Sequence, residues 1–580
     1  MKLSDYIVNY FEKQGVRVVF GYIGGMITHL VDSIVQNENI QFVQTYHEQT
    51  AAIAAEGYAK ESGTFGVAIA TSGPGATNMM TGIADAYFDS VPVLYITGQV
   101  NTNEYKYDKP IRQQGFQETD VVSMVKPVTK YAKLVDRAVD IRYELEKAIY
   151  LAMSGRRGPV LLDIPMDIQS SEINPDILKG FTPENEVRKP VDYTAIAKLI
   201  AASQRPMLLV GAGCLSTMAK NEINQFITIT KIPVLSSLLG RGVIEETYPN
   251  YLGMIGSYGN RNANMGIAGA DLLIALGTRL DTRQTGAMVD RFIEHGKIIH
   301  VDIDCNELEN HRLTNRIKIH SDVATFMHKL NAIKIETICS EVWISHLLKL
   351  KENYNQEREI DRFVENKAPY RFMQLLNSYS KENDVFCVDI GQNQMWAAQT
   401  LQLKKGQKFI TSGGLAPMGF SMPVAIGISF ANKEKSIYSI NGDGGFHISI
   451  QSLMLISQYN LPIKVIVMNN QALGMITQFQ DLYFEGRMSG TTGVGGYIVP
   501  NIIDLAAAYG LQYYRVLEKD INNQDFMDKI FSSRNCIVEY LTEGFTTVSP
   551  KLEYNKPIGM PIPLLPEDEQ NTNMSNEFLN

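Results

Sequence analysis

The stretch that most constrains this 580-residue chain is Asn441-Gly442-Asp443-Gly444-Gly445, which sits between two apolar runs. Ile437-Tyr-Ser-Ile440 reads as a buried strand ending in the glycines, and Ile463-Lys-Val-Ile-Val-Met468 as a second strand ending at Asn469-Asn470. A helical stretch between them sets Ile448, Leu453, Leu455 and Ile456 on one side. Strand, helix and strand in this order predict a crossover between parallel strands, which cannot be joined by a short turn. Such a unit delivers Asp443 and Asn470 to the carboxyl edge of a sheet, where open α/β sheets bind ligands.

An Asp carboxylate, an Asn amide oxygen and a nearby backbone carbonyl are hard oxygen donors. Magnesium takes such ligands octahedrally and shares its shell with phosphate oxygens. A lone Gly-Asp-Gly is equally a tight turn, but the Asn pair closing the next strand separates the two readings. With its GDG, this spacer and NN, the chain resembles the thiamin diphosphate enzymes. The resemblance implies thiamin diphosphate and Mg2+, with Asp443, Asn470 and the carbonyl of Ala472 as metal ligands.

Hydrophobic content of 45% and charged content of 20% are ordinary for a large globular enzyme. A formal net charge of −9 with no basic stripe argues against nucleic acid. No stretch approaches a membrane span or a signal-peptide core. Cys214, Cys305, Cys339, Cys387 and Cys536 are scattered, without metal spacing, which fits small buried hydrophobes in a reducing cytoplasm.

Three α/β units of doubly wound parallel sheet are predicted: residues 1 to 170, 191 to 345 and 369 to 545. A polar linker spans Gln169 to Pro190, a charged helical passage spans Leu348 to Glu365, and a Pro- and Asn-rich tail, 546 to 580, is expected to lie on the surface or be partly disordered. The first helix is expected to start at a Ser4 cap and stop at Gly15.

In the first unit, Thr45-Tyr-His-Glu48 reads as a strand end leading into an Ala-rich, close-packing helix. A Glu at a helix start is by itself favourable to the helix dipole. Its company is His47-Glu-Gln, Ala55-Glu-Gly-Tyr-Ala59 and Thr71-Ser-Gly-Pro-Gly-Ala-Thr-Asn78, in the order and spacing of the acetohydroxyacid (acetolactate) synthase branch of the family. That resemblance, which runs to about residue 545, implies a catalytic Glu48. Its carboxylate would drive the cofactor's amino group into the imino form that deprotonates thiazolium C2. It also implies polar or close contacts from Thr71 and Asn78, an active-site Phe116 and a cofactor-contacting Gln117. In the family this Glu faces the diphosphate domain of a neighbouring subunit, so a homodimer or homotetramer is expected.

The same resemblance extends through Asp389-Ile390-Gly391-Gln392-Asn393-Gln-Met-Trp-Ala-Ala-Gln399, similar to the family's diphosphate loop GQHQMWAAQ. Gly442, Gly444, Gly445, Gly474 and Met475 complete the implied cofactor contacts. Met418, in a Gly-rich loop, is implied to wedge between the cofactor's rings, although a Met there is equally core filling. In the second unit, Gly211-Ala212-Gly213 after a strand is a weak phosphate-loop hint. Gly277-Thr-Arg279-Leu-Asp281-Thr-Arg283 is similar to the family's FAD-lining segment. FAD, bound without net redox work, is therefore implied, with Arg156, Asp302, Ile303 and Asp322 as further contacts. Arg283 falls where the family grips the second 2-keto acid through paired hydrogen bonds. The alternative is a surface ion pair with Asp281.

Four departures stand out: Met166 replaces a Lys, Phe479 a Trp, Ser257 a Met and Asn393 a His. They imply intact cofactor chemistry beside an altered acceptor pocket that is wider and less cationic at its entrance. The expected activity is decarboxylation of pyruvate and transfer of the two-carbon unit to a second carbonyl. Another pyruvate would give 2-acetolactate, and a keto-sugar nucleotide is an alternative acceptor. Ser549-Pro-Lys-Leu-Glu and Pro563-Leu-Leu-Pro566 resemble the sugar-branching group. A flavin-dependent pyruvate oxidase is the competing activity.

Overall fold

The computed structural model describes residues 1 to 184, 188 to 333, 335 and 339 to 574. Parts of the expected linker, second unit and tail (185 to 187, 334, 336 to 338, 575 to 580) lie outside the described residues. Three six-stranded sheets follow one another along the chain, and every pairing within them is parallel. The first holds β1 (Val18–Tyr22), β2 (Gln41–Gln44), β3 (Gly66–Ala70), β4 (Val93–Gln99), β5 (Tyr131–Leu134) and β6 (Val160–Pro165), in the order β2-β1-β3-β4-β6-β5. The second holds β7 (Pro206–Val210), β8 (Val234–Ser236), β9 (Tyr251–Met254), β10 (Leu272–Leu276), β11 (Lys297–Asp302) and β12 (Arg316–His320), ordered β12-β11-β10-β7-β8-β9. The third holds β13 (Val385–Val388), β14 (Lys408–Ile410), β15 (Ile437–Gly442), β16 (Ile463–Asn469), β17 (Tyr513–Val516) and β18 (Cys536–Leu541), ordered β14-β13-β15-β16-β18-β17.

The central strands are apolar runs buried along their whole length, as a sheet covered by helices on both faces requires. The first and third sheets share one topology. The second, counted from its own first strand, has the dinucleotide-binding order 3-2-1-4-5-6. In each sheet the chain reverses direction beside its first strand, between β1 and β3, β7 and β10, and β13 and β15, and the first and third sheets reverse again where β6 and β18 return inside β5 and β17. The loops holding Thr71, Gly211, Gly277, Asp389 and Asp443 leave the strands that flank these crevices, while Glu48 follows β2 and Asn470 follows β16, one strand further out.

First and third units share a core. Helix Glu48–Ser62 crosses helix Ser421–Ala431 so closely that a Cβ on Gly57 would stand 2.2 Å from Val424 O, and one on Gly427 1.8 Å from Ala54 O. Beside the crossing, the carboxylates of Glu56, Asp85 and Asp89 lie within 4.8 Å of one another. Lys60 Nζ fills that cluster, 2.6 Å from Glu56 and 3.5 Å from Asp89. Burial alone would depress Lys60, but Glu56, Asp89 and Asp85 outweigh it and keep the ammonium charged. Asp85 accepts the Ser412 hydroxyl and Asp89 the Gly414 N–H, so the cluster ties the two units together.

Three sequence expectations change. The first helix, Leu3–Lys13, starts before Ser4, which is buried inside it and accepts a hydrogen bond from Ser33 Oγ at 3.0 Å. The crossover stretch is two helices, Asp443–Ile448 and Ser452–Gln458. The break at Ser449 leaves Ile448 49% exposed against Gly419, while Leu453, Leu455 and Ile456 are buried.

The C-terminal segment is not a surface tail. Val548, Leu552, Ile558 and Leu565 are buried, two of them in the core of the second unit. Arg261, itself buried, pairs with buried Glu359 and donates to Pro561 O at 2.9 Å, and Glu359 accepts the Ser549 hydroxyl at 2.8 Å. A proline-rich segment has few N–H groups to satisfy, which suits it to such seams. Arg261→Leu would leave Glu359 enclosed without its counter-charge. We expect a loss of about 3–5 kcal/mol, read as a lower urea midpoint and faster proteolytic clipping between 549 and 565.

Candidate active site

One half of the site lies at the crevice of the first sheet. β2 and Thr45 lead into helix Glu48–Ser62, whose cap is His47, with Nδ1 accepting from Gln49 N–H. Glu48 is 7% exposed, and Asn78 Nδ2 donates to its Oε2 at 2.9 Å. Helix Pro74–Asn78 starts at Gly73, whose φ of +63 few other residues tolerate. A Cβ on Gly75 would come 3.3 Å from Glu48 Oε1 and 2.8 Å from Thr71 Cγ2, so this glycine admits the carboxylate. Thr71 Oγ1 accepts from Met26 N–H, and Gln117 packs on Gly73. Gln117 itself holds a left-handed φ of +63, a conformation that non-glycine residues keep mostly at functional sites. Glu48, Thr71, Asn78 and Gln117 are thus gathered together. Phe116 is 79% exposed beside them.

The other half lies between β13 and β15. Asp443 Oδ1 accepts the Tyr497 hydroxyl at 2.7 Å, while Oδ2 is buried with no hydrogen-bond partner among the described residues. Burial pushes the Asp443 carboxyl up to about 6, opposed by Tyr497 and the backbone N–H groups of Gly444, Ala472 and Gln471. Asn470 Nδ2 donates to Thr546 Oγ1 at 2.8 Å and Gln392 Oε1 at 3.3 Å, which turns its amide oxygen away from both. A Cβ on Gly474 would collide with Gln392 Oε1 at 2.0 Å. Met418 Cε stands 3.0 Å from where Gly444 would carry a Cβ.

Behind the loop, Asp389 accepts the N–H groups of Ile390, Gly419 and Ser421, and burial raises its carboxyl to about 6. Gly445 must lack a side chain, since a Cβ would fall 2.6 Å from Asp389 Oδ1. Gly391 has a φ of +139, and Asn393 Oδ1 lies close to both Gly391 and Gly442. Asn393 Nδ2 donates to Asp389 O at 2.8 Å. Asn393 is therefore buried inside the loop that follows β13. Tyr497 and Thr546 escaped the sequence reading because neither sits in a recurring motif.

A buried carboxylate oxygen without a partner, an amide oxygen turned free and a glycine-lined loop fit a hard divalent cation with a diphosphate. No hydrogen bond or ion pair among the described residues joins Glu48 to the Asp443 side of the same chain.

At the crevice of the second sheet, Gly213 N–H donates to Gly277 O at 3.0 Å, and a Cβ on Gly211 would stand 2.3 Å from that oxygen. Gly277 has a φ of +51, and Ala212 lies between the two packed glycines. Arg279 pairs with Asp281 at 3.1 Å, and Asp281 Oδ1 caps the following helix. Arg283 meets Asp281 through its backbone N–H, which donates to Oδ1 at 2.9 Å, and among the described residues its guanidinium forms no ion pair with that carboxylate. Its guanidinium stands 5.7 Å from the Tyr258 ring centre. Burial raises Asp302 to about 6, and Asp302 accepts from Asp304 N–H. Ile303 O is hydrogen-bonded to His320, Asp322 caps helix Val323–Asn331, and Arg156 is held by Asp304 and Glu307.

The four departures lie on four different segments of the chain. Met166 opens a short helix after β6. Ser257 accepts from Leu552 N–H through its carbonyl, and Phe479 is 46% exposed beside Tyr483. Lys551 Nζ stands 6.0 Å from the Phe479 ring centre.

Family models agree with this geometry. The N-terminal binding domain of the thiamine pyrophosphate enzymes matches residues 1–124, their central domain 193–330 and their C-terminal binding domain 389–536. A probable acetolactate synthase large subunit of Methanocaldococcus jannaschii is 35% identical across 94% of this chain and 92% of its own length. The acetolactate synthase isozyme 2 large subunit of Escherichia coli is 37% identical across 90% of this chain and 92% of its own. The acetolactate synthase large subunit of Lactococcus lactis is 36% identical, covering 88% of each. The chain belongs to the thiamine pyrophosphate (thiamin diphosphate) enzymes, within the acetolactate synthase large-subunit family. Its substrates are small molecules, and no helix among the described residues is long and apolar enough to cross a membrane.

Proposed function

We propose that the protein converts two molecules of pyruvate into 2-acetolactate and carbon dioxide, in active sites shared between two copies of the chain. The observation that carries this reading is the partnerless buried oxygen of Asp443 beside Asn470, set at the same kind of crevice that holds Glu48 in the first sheet. Bound thiamin diphosphate supplies the electron sink for decarboxylation. Asp443, the Asn470 amide oxygen and the Ala472 carbonyl would hold Mg2+. Gly442, Gly444, Gly445 and Gly474 leave room for diphosphate oxygens, with Ile390, Gly391, Gln392, Asn393 and Met475 around them.

Glu48 would hold and release a proton at Oε1, the oxygen that Asn78 leaves open. Thr71 and Gln117 line that carboxylate's surroundings, Met418 supplies apolar surface beside Gly444, and Phe116, 79% exposed in one chain, would be covered by the second copy. Arg283 would orient the acceptor's carboxylate by its planar fork. A homodimer is the smallest complete unit in this reading, because the family resemblance around Glu48 sets that carboxylate opposite the diphosphate domain of a neighbouring copy. A cytoplasmic setting fits the five free cysteines, four of them buried.

FAD belongs to the proposal as a structural ligand of the second unit, whose strand order and paired glycine loops suit a dinucleotide. Arg279, Asp281, Asp302 and the 211 to 213 loop edge that crevice. The reaction needs no net electron transfer. Flavin absorbance and carbon dioxide release followed together without oxygen test the function: we expect release with an unchanged flavin band. Bleaching at the turnover rate would make the protein an oxidase.

A further inference from the structure

A second cation stands on the acceptor wall. Met475, Phe479 and Tyr483 recur every fourth residue along helix Gly474–Tyr483 and therefore share a face. Tyr258 bridges from that face to Arg283: its hydroxyl reaches Met475 Sδ at 3.3 Å and its ring lies 5.7 Å from the guanidinium. Further along the face, Lys551 Nζ stands 6.0 Å from the centre of the Phe479 ring.

The backbone fixes Lys551 there. Its N–H and C=O pair with Ile562 at 3.1 and 2.7 Å, and Leu552 N–H donates to Ser257 O at 2.7 Å. Gln478, on the same helix as Phe479, binds both backbone groups of Val548, at 3.0 and 3.2 Å. Lys551 is 8% exposed, and among the described residues no carboxylate pairs with its ammonium. Burial lowers it from the ordinary lysine value, and Glu553 offsets this only in part. A structural lysine this enclosed would be expected to hold a carboxylate or a carbonyl. Lys551 Nζ is not among the buried polar atoms that lack a partner, so the side chain is enclosed while its ammonium tip stays open to an arriving anion. Phe479 is 46% exposed, so the wall remains accessible.

We propose that Lys551 is a specificity-determining residue of the acceptor site, which places a second positive charge along the wall from Arg283 and selects acceptors that carry a carboxylate or another anionic group beside the carbonyl. The inference rests on the acetolactate-forming reading above. An uncharged acceptor would leave Lys551 unpaired, so the site favours anionic carbonyl compounds despite the loss of a lysine at Met166.

The test is the fate of the two-carbon unit at limiting pyruvate, measured as acetaldehyde against acetolactate in the Mg2+- and thiamin diphosphate-loaded enzyme. Losing a charge-assisted contact should raise the acetaldehyde share about ten- to hundredfold in Lys551→Met, with Lys551→Arg recovering most of the ligation. Unfolding midpoints of both variants identify any loss of fold, and Lys551→Gln provides a second neutral side chain. An unchanged product ratio in folded Lys551→Met and Lys551→Gln overturns the inference alone. Absence of acetolactate from the wild type overturns the parent reading and the inference with it.

Discussion

Glu48→Gln should slow cofactor deprotonation and turnover by roughly 10²- to 10⁴-fold, the range for losing acid-base help from one group. The fold should survive, because the amide keeps the shape of the side chain and can still accept from Asn78. Glu48 is enclosed, and its Oε1 faces Gly75, which no larger residue could replace without crowding it. A neutral amide in that position can neither hold nor release the proton. Hydrogen-deuterium exchange at the cofactor's C2 reads the step directly, separate from binding. Exchange at the wild-type rate would remove Glu48 from the chemistry.

Asp443→Ala should abolish magnesium-dependent retention of thiamin diphosphate. The substitution removes the one carboxylate in the loop, and the neighbouring Asn470 offers only an amide oxygen. It also frees the Tyr497 hydroxyl, which then has no anion to orient. Titration of apo-protein with the cofactor, with and without Mg2+, should show saturable binding for wild type and none for the variant at matched concentrations. Unchanged affinity would place the metal elsewhere. Mixing the two variants tests the shared site. A heterodimer of Glu48→Gln with Asp443→Ala chains keeps one complete site, so random mixing should restore about a quarter of the activity. No recovery would confine each site to a single chain.

Much of this architecture was legible because the chemistry needs backbone shape as well as side chains. Asp443, Asn470 and their glycines are readable since one strand must end in a ligand loop and the next must end beside it, and the parallel register of β15 and β16 does this. The Ala-rich helix after Glu48 advertised close packing, and Gly57 against Val424 shows why. Tyr497 and Thr546 were invisible because they reach the site from loops whose course no local pattern fixes. Ile448 was misplaced because a bend at Ser449 resets the helical face. The C-terminal segment misled for a related reason. Its Pro- and Asn-rich composition resembles disorder, yet its apolar residues are spaced to fill a seam between two units, a partner surface that sequence periodicity does not reveal. Lys551 went unrecognised with it.

Labelled pyruvate should be supplied alone to protein loaded with thiamin diphosphate and Mg2+, and the products followed by NMR. The account predicts 2-acetolactate and carbon dioxide in equal amounts, with no peroxide. Carbon dioxide without acetolactate, with carbon-carbon bond formation only after a keto-sugar nucleotide is added, would contradict it.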